Sequence, residues 1–332
     1  MTSQQEMPFA SVLEALFSAE DLPISLLYRL SDLSDADFER FKRGWSAVDE
    51  DRRVAIARHM SEIVEESYLL DFSPVFAYMF SDESAAVRVA ALDGLWDSEE
   101  QSLIPMILDL LATDKDHSVR AAAARALAHY ILLAEWGQIS NSYTDKIVDG
   151  LLAAYDDPRS PLDVKRATLE AVSASAHPRV PVMITDAYEE GSNDLQLSAI
   201  FAMGVSADER WLPMLEQELH SPSPDFRAEA ARACGIIGGH SSIEALEQLI
   251  NDEDQEVGMA AILALGQIGG DRVFALLSHL AEDPNYEDYY EVIEDALDEL
   301  EWMDSSFDML AFPDEENHDD DEDDILDQLR LN

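Results

Sequence analysis

The chain has 332 residues and a formal net charge of −49, from 70 acidic against 21 basic side chains. Such a field repels nucleic acid and anionic lipid and attracts basic partners, which disfavours any role resting on general DNA, RNA or membrane-surface affinity. Apolar residues make up 47% and aromatics only 8%, a balance that suits close-packed helices around a continuous core better than a β-rich fold.

At the N-terminus the run Met1-Thr2-Ser3-Gln4-Gln5-Glu6 has neither a basic nor an apolar leader character. No stretch in the chain approaches eighteen uninterrupted apolar residues. A single cysteine, Cys234, excludes an intramolecular disulfide framework. Together these features lead to the expectation of a cytoplasmic protein with no membrane partner. Residues 9–17 have the apolar periodicity of a helix, Pro23 opens a short one, and Ser34-Asp35-Ala36-Asp37 caps a third. A longer helix over 49–67 turns Val54, Ile56, Ala57, Met60, Ile63 and Val64 inward. Residues 1–69 are therefore expected to form a helical N-terminal cap.

From residue 70 onward the sequence repeats itself. Six segments align on reference positions 88, 120, 165, 196, 227 and 258, separated by 32, 45, 31, 31 and 31 residues. Seven residues after the reference stand Leu95, Leu127, Val172, Met203, Cys234 and Leu265, and four after it Leu92, Ala124, Leu169, Ile200, Ala231 and Ile262. Apolar residues at that spacing line one helical face. The column also identifies Cys234 as a packed thiol and not a nucleophile. Three after the reference the residues are Ala91, Ala123, Thr168, Ala199, Ala230 and Ala261, small enough for neighbouring helices to approach closely. Each such helix follows another amphipathic one, as over 103–111, 147–155, 211–219 and 243–250. Ser241-Ser242-Ile243-Glu244 has a capping-box pattern, and the pairs Gly238-Gly239 and Gly269-Gly270 read as helix stops. The 45-residue spacing marks an insertion near 131–143, with Trp136-Gly137 and Asn141-Ser142 as turn signals. Residues 287–303 read as a capping helix. The segment 304–332 reads as a disordered acidic tail ending in an apolar island of Ile325, Leu326, Leu329 and Leu331, able to act as a short docking motif.

These columns resemble the HEAT repeat, and Ala264-Leu265-Gly266-Gln267-Ile268-Gly269-Gly270 is similar to the subclass named after phycobilisome lyases. The resemblance spans residues 70–300. It implies an all-α fold, a right-handed HEAT-type α–α superhelix of about six helix pairs between helical caps, with the solenoid over 70–303. It also implies that an Asp at the inter-helix turn and an Arg six residues later form a ladder between repeats. Asp82/Arg88 and Asp114/Arg120 match that spacing, which decays to Glu190/Gln196, Ser221/Arg227 and Asp252/Gly258. HEAT-type deoxyhypusine hydroxylases hold iron with His-Glu pairs; none of the eight histidines here is followed by Glu. HEAT-like DNA glycosylases use a basic concave face. The corresponding column here, five after the reference, mixes signs: Asp93, Arg125, Glu170, Phe201, Arg232 and Leu263.

The expected function is thus a non-catalytic scaffold with no cofactor and no nucleic-acid partner, binding a basic or extended protein segment on the concave strip of Asp93, Trp96, Arg125, Glu170, Phe201 and Arg232. Trp136 and Trp211 are further candidate anchors. The alternative, a bilin lyase or a lyase-like chaperone of a chromophore protein, comes from the resemblance to the repeat subclass alone.

Overall fold

The computed structural model describes residues 7–66 and 69–310. The fold is an all-helical α–α solenoid, with no strand among the described residues. Its helices fall into two units.

The first unit opens with α1 (Phe9–Ser18), a 3-10 helix (Ile24–Leu30), α2 (Asp35–Trp45) and α3 (Glu50–Glu66). Ser34 caps α2 by accepting from the Asp37 backbone N–H at 3.2 Å, as its sequence pattern requires. Then come α4 (Ser73–Met79) and α5 (Ala85–Asp93), α6 (Ile104–Thr113) and α7 (His117–Glu135), α8 (Asn141–Asp156) and α9 (Leu162–Val172), α10 (Val180–Glu190) and α11 (Asn193–Val205), and α12 (Leu212–Glu218). The insertion is absorbed by the lengths of α7, 19 residues, and α8, 16 residues, with a short turn between them.

The second unit holds α13 (Pro224–Ile237), α14 (Ile243–Leu249), α15 (Gln255–Ile268), α16 (Asp271–Glu282) and α17 (Tyr290–Leu310). Here the capping box does not form. Ser241, the expected cap, lies inside a 3-10 turn over His240–Ser242 that leads into α14, and Ser242, which takes the cap position, makes no side-chain cap hydrogen bond. Cys234 is fully buried. Gly235 lies one residue beyond it, where an added Cβ would fall 2.7 Å from the Ala264 Cα; α13 and α15 pack that closely. Gly238 stops α13 in the left-handed conformation, φ 74°.

Within each unit the second helices of successive pairs pack directly on one another: α5 on α7, α7 on α9, α9 on α11, and separately α13 on α15 and α15 on α17. The repeat extends past both ends of the aligned six. In α3, Ile56, Ala57 and Met60 are fully buried at three, four and seven residues beyond Arg53, which makes Arg53 a reference position. In α17, Ile293 and Ala296 are fully buried at four and seven beyond Tyr289, which stands 31 residues after Gly258. The segments read as caps are thus helix pairs that meet their neighbours in repeat register. Helix α17 also runs to Leu310, past the expected boundary at 303. Residues 304–310 carry only Asp304 and Asp308 as charges, and the first Pro beyond is Pro313, so nothing in the sequence stops the helix earlier. The island of Ile325, Leu326, Leu329 and Leu331 lies outside the described residues.

Candidate protein-binding surface

Two rows of charged side chains follow from the repeat, one at the turns and one on the exposed faces of the second helices. At the turns, each aspartate first serves the backbone. Asp82, Asp114 and Asp252 accept from the N–H two residues on, in Ser84, Asp116 and Asp254, at 2.9, 2.8 and 2.9 Å. The same carboxylate, through both of its oxygens, also takes an arginine from the preceding repeat. Arg88 is bidentate to Asp114, with both contacts at 2.8 Å, and Arg227 is bidentate to Asp252 at 2.8 and 2.7 Å. Arg53 pairs with Asp82 at 3.1 Å, and the Trp45 indole donates to the same carboxylate at 2.7 Å. The partner six residues before each arginine is a backbone carbonyl, not a side chain: Arg88 donates to the Asp82 carbonyl at 2.7 Å and Arg227 to that of Ser221 at 2.8 Å.

The arginine of one repeat thus reaches the aspartate of the next, the ladder between repeats that the resemblance implies. Asp82 belongs to Arg53, and Asp252 belongs to Arg227 although its own repeat has no arginine. Arg120 bonds the Ser160 hydroxyl at 3.0 Å, in a repeat where the aspartate position, six residues before Lys165, carries Arg159. At Gly258, where the arginine is missing, an added Cβ would lie 2.7 Å from the Tyr289 hydroxyl, which occupies the space. The Arg227 hydrogen bonds hold the Asp252 carboxyl below its ordinary range, and the pair reciprocally raises Arg227.

The second row is the predicted strip. Asp93 ends α5, and Arg125 of α7 reaches it at 3.6 Å, with roughly half of each side chain exposed. Crowding at the end of α5 desolvates Asp93 and raises its carboxyl, against the opposing pull of Arg125 and with added repulsion from Glu65. Glu170 of α9 accepts the Ser198 hydroxyl, which in turn accepts from Arg166 Nε at 2.8 Å. Arg166 was not among the predicted strip residues. It lies one residue past the reference, in a column where Val89, Ala121 and Leu197 conceal any polar signal. Trp96 and Phe201 are each 38% exposed. In the second unit Arg232 pairs with Glu256 at 2.7 Å and with Glu229 at 3.2 Å, and Leu263 is exposed. Trp136, at the end of α7, is 68% exposed, whereas Trp211 is buried and donates to the Ser206 hydroxyl at 3.1 Å, which makes it core and not an anchor.

The histidines do not converge. His117 pairs with Asp163, His59 with Glu62 at 2.6 Å, and half-buried His129 is pushed down by desolvation beside the backbone of Ser98. Among the described residues no group of three or more His, Cys, Asp or Glu is placed to hold a metal ion, and no helix is long and apolar enough to cross a membrane.

Stacked helix pairs of 31-residue period, joined by turn Asp–Arg pairs, define an α-helical repeat protein. The HEAT-repeat family matches at residues 73–173, 181–252 and 212–298, and the chain belongs to that family. Among solved structures it is similar to the CpcE–CpcF complex of the phycocyanin lyase from Nostoc sp. PCC7120, with 17% identity, 85% of this chain and 96% of that one covered, and a TM-score of 0.51. It also matches YibA of E. coli, at 19% identity, 83% and 96% coverage and a TM-score of 0.46. Human deoxyhypusine hydroxylase aligns at 19% identity, 90% and 97% coverage and a TM-score of 0.34. At these identities the likeness concerns fold alone, and the fold includes proteins with enzymatic roles. No curated protein sequence matches the chain.

Proposed function

We propose that the chain is a non-catalytic interaction scaffold that binds a basic or extended segment of a protein partner on the exposed faces of its second helices. One observation carries this reading: on the faces of α7, α9 and α13 the arginines of the strip already have partners. Arg125 faces Asp93, Arg166 is tied to the Ser198–Glu170 pair, and Arg232 is held by Glu256 and Glu229. The charge left for a partner is therefore the carboxylate surplus, set beside the open side chains of Trp96 and Phe201. Such a surface attracts cations and offers no cationic track for phosphates. Buried Cys234, the chain's only thiol, suits a reducing compartment such as the cytoplasm.

Cross-linking in the source cells, followed by calorimetric titration of the purified pair, tests the proposal. Replacing Trp96 and Phe201 together by Ser is expected to raise Kd by about tenfold or more, the scale of a lost interface anchor, when titrated below the variant's own melting temperature. An unchanged Kd would remove the strip as the binding surface.

A further inference from the structure

A cavity of about 370 Å³ opens in the first unit where the chain enters α4 and leaves α5. Its size sits at the lower end of ligand pockets, about 300–1,000 Å³. Four exposed carboxylate residues, Asp71, Asp97, Glu99 and Glu100, line it together with the buried rings of Phe72 and Phe76. The wall is preorganised. Tyr130 of α7, its phenol pushed up to about 12 chiefly by burial, donates to the Glu100 carbonyl at 3.3 Å, and the Glu100 carboxylate accepts the Ser102 N–H at 3.0 Å.

Several turn and face carboxylates are held by an arginine: Asp82 by Arg53, Asp114 by Arg88, Asp93 by Arg125 and Asp156 by Arg179. Among the described residues none of the four pocket carboxylates is in an ion pair, and the Ser102 hydrogen bonds hold the Glu100 carboxyl below its ordinary range, in the charged form, against a weaker repulsion from Asp71. An unbalanced acidic concavity focuses its field on a cation, and an apolar floor accepts the aliphatic stem that carries one. The chain's own segment 311–332 holds ten carboxylates against one arginine, so its charge opposes entry.

We infer that this pocket receives a lysine or arginine side chain from the partner protein, as the anchoring contact of a basic segment. The inference rests on the scaffold reading above and names a specific receptor within it.

The probe is a fluorescent eight-residue peptide of alternating lysine and glycine, titrated by anisotropy into the full chain at low salt, where surface fields are least screened. The paired substitution Asp97→Asn with Glu99→Gln is expected to weaken binding by about tenfold. Charge-matched Glu294→Gln with Asp298→Asn, on exposed α17 positions, is expected to change it less than about twofold. The same peptide acetylated on its lysines is expected not to bind. Equal losses from the two paired variants would show only diffuse attraction and overturn the pocket while leaving the scaffold reading standing. Equal binding of the acetylated peptide would likewise overturn it. A wild-type chain that binds no lysine peptide would remove the cationic partner as well. Should the paired pocket variant melt early, each single substitution gives the same comparison.

Discussion

The turn edge and the exposed helix faces use the same chemical pair, arginine with a carboxylate, to opposite ends. At the turns the two partners are almost fully enclosed: side-chain exposures are 6% and 7% for Arg88 and Asp114, and 11% and 9% for Arg227 and Asp252. On the faces they are 53% and 45% for Arg125 and Asp93, and 39% and 68% for Arg232 and Glu256. An enclosed pair cannot be exchanged for water without leaving a buried charge, so it staples one repeat to the next. An exposed pair holds by about 0–1 kcal/mol, little enough for an incoming lysine or arginine to compete for its carboxylate. The turn edge therefore holds the pairs that join repeats, and the faces hold the pairs that the proposed partner would displace.

The largest expected effect tests the first half of that contrast. Arg88→Ala strands the Asp114 carboxylate and leaves the Asp82 carbonyl without its donor; the expected loss is about 3–5 kcal/mol in chemical denaturation. Replacing both partners by apolar residues of similar size, Arg88→Met with Asp114→Leu, is expected to restore most of that loss, because no uncompensated charge remains. The Asp114 carboxylate also caps Asp116, so a residue of the loss should persist. If the double variant is no better than the single, the pair is not what holds this turn.

The repeat period and the packing columns were legible because they depend on residue size at fixed spacing, and Cys234 and Gly235 show it. The charge pairing was not. Spacing marked Asp82, Arg88 and Asp114 as members of a ladder between repeats, but the 26-residue separation from Arg88 to Asp114 carries no local signal of which aspartate each arginine takes. The end pairs were concealed for a related reason. Tyr289 stands where other repeats carry Arg, Lys, Gln or Gly, and Arg53 is 35 residues before Arg88, so a search for 31-residue spacing passes both. The strip residues were found by column, but their partners, such as Ser198 for Arg166, required the neighbouring helix to be in place.

A smaller effect, confined to acid, separates the two kinds of carboxylate. Asp252 is held below its ordinary value of 3.8, first by the Arg227 hydrogen bond. Its folded pKa is depressed, so its stabilisation is fully present above the unfolded value and is lost as pH falls through the folded one. Urea midpoints measured from pH 6 down to pH 2 should show a constant gap between wild type and Asp252→Asn above about pH 4, closing below it. Asp93, raised by desolvation, has the opposite sign: its charged form costs stability once pH rises past the unfolded value. The gap between wild type and Asp93→Asn should therefore run the other way, wild type gaining on the variant as pH falls below about 4; a gap that closed as it does for Asp252→Asn would erase the distinction between edge and face.

The smallest effect is the most discriminating for function. Arg125→Ala removes the partner of Asp93 on a surface where both groups meet water, so stability should change by less than about 1 kcal/mol in the same denaturation series. The Asp93 carboxyl, freed of the opposing pull of Arg125, should titrate higher still, which a carboxylate-resolved NMR titration would read directly. The charge surplus on the face also grows by one, so a basic partner should associate faster at low salt, with the gain vanishing as salt screens it. A stability loss near that of Arg88→Ala would mean the face pair is as structural as the turn pair. A partner on-rate that ignores both the substitution and the salt would mean that recognition does not run through this field.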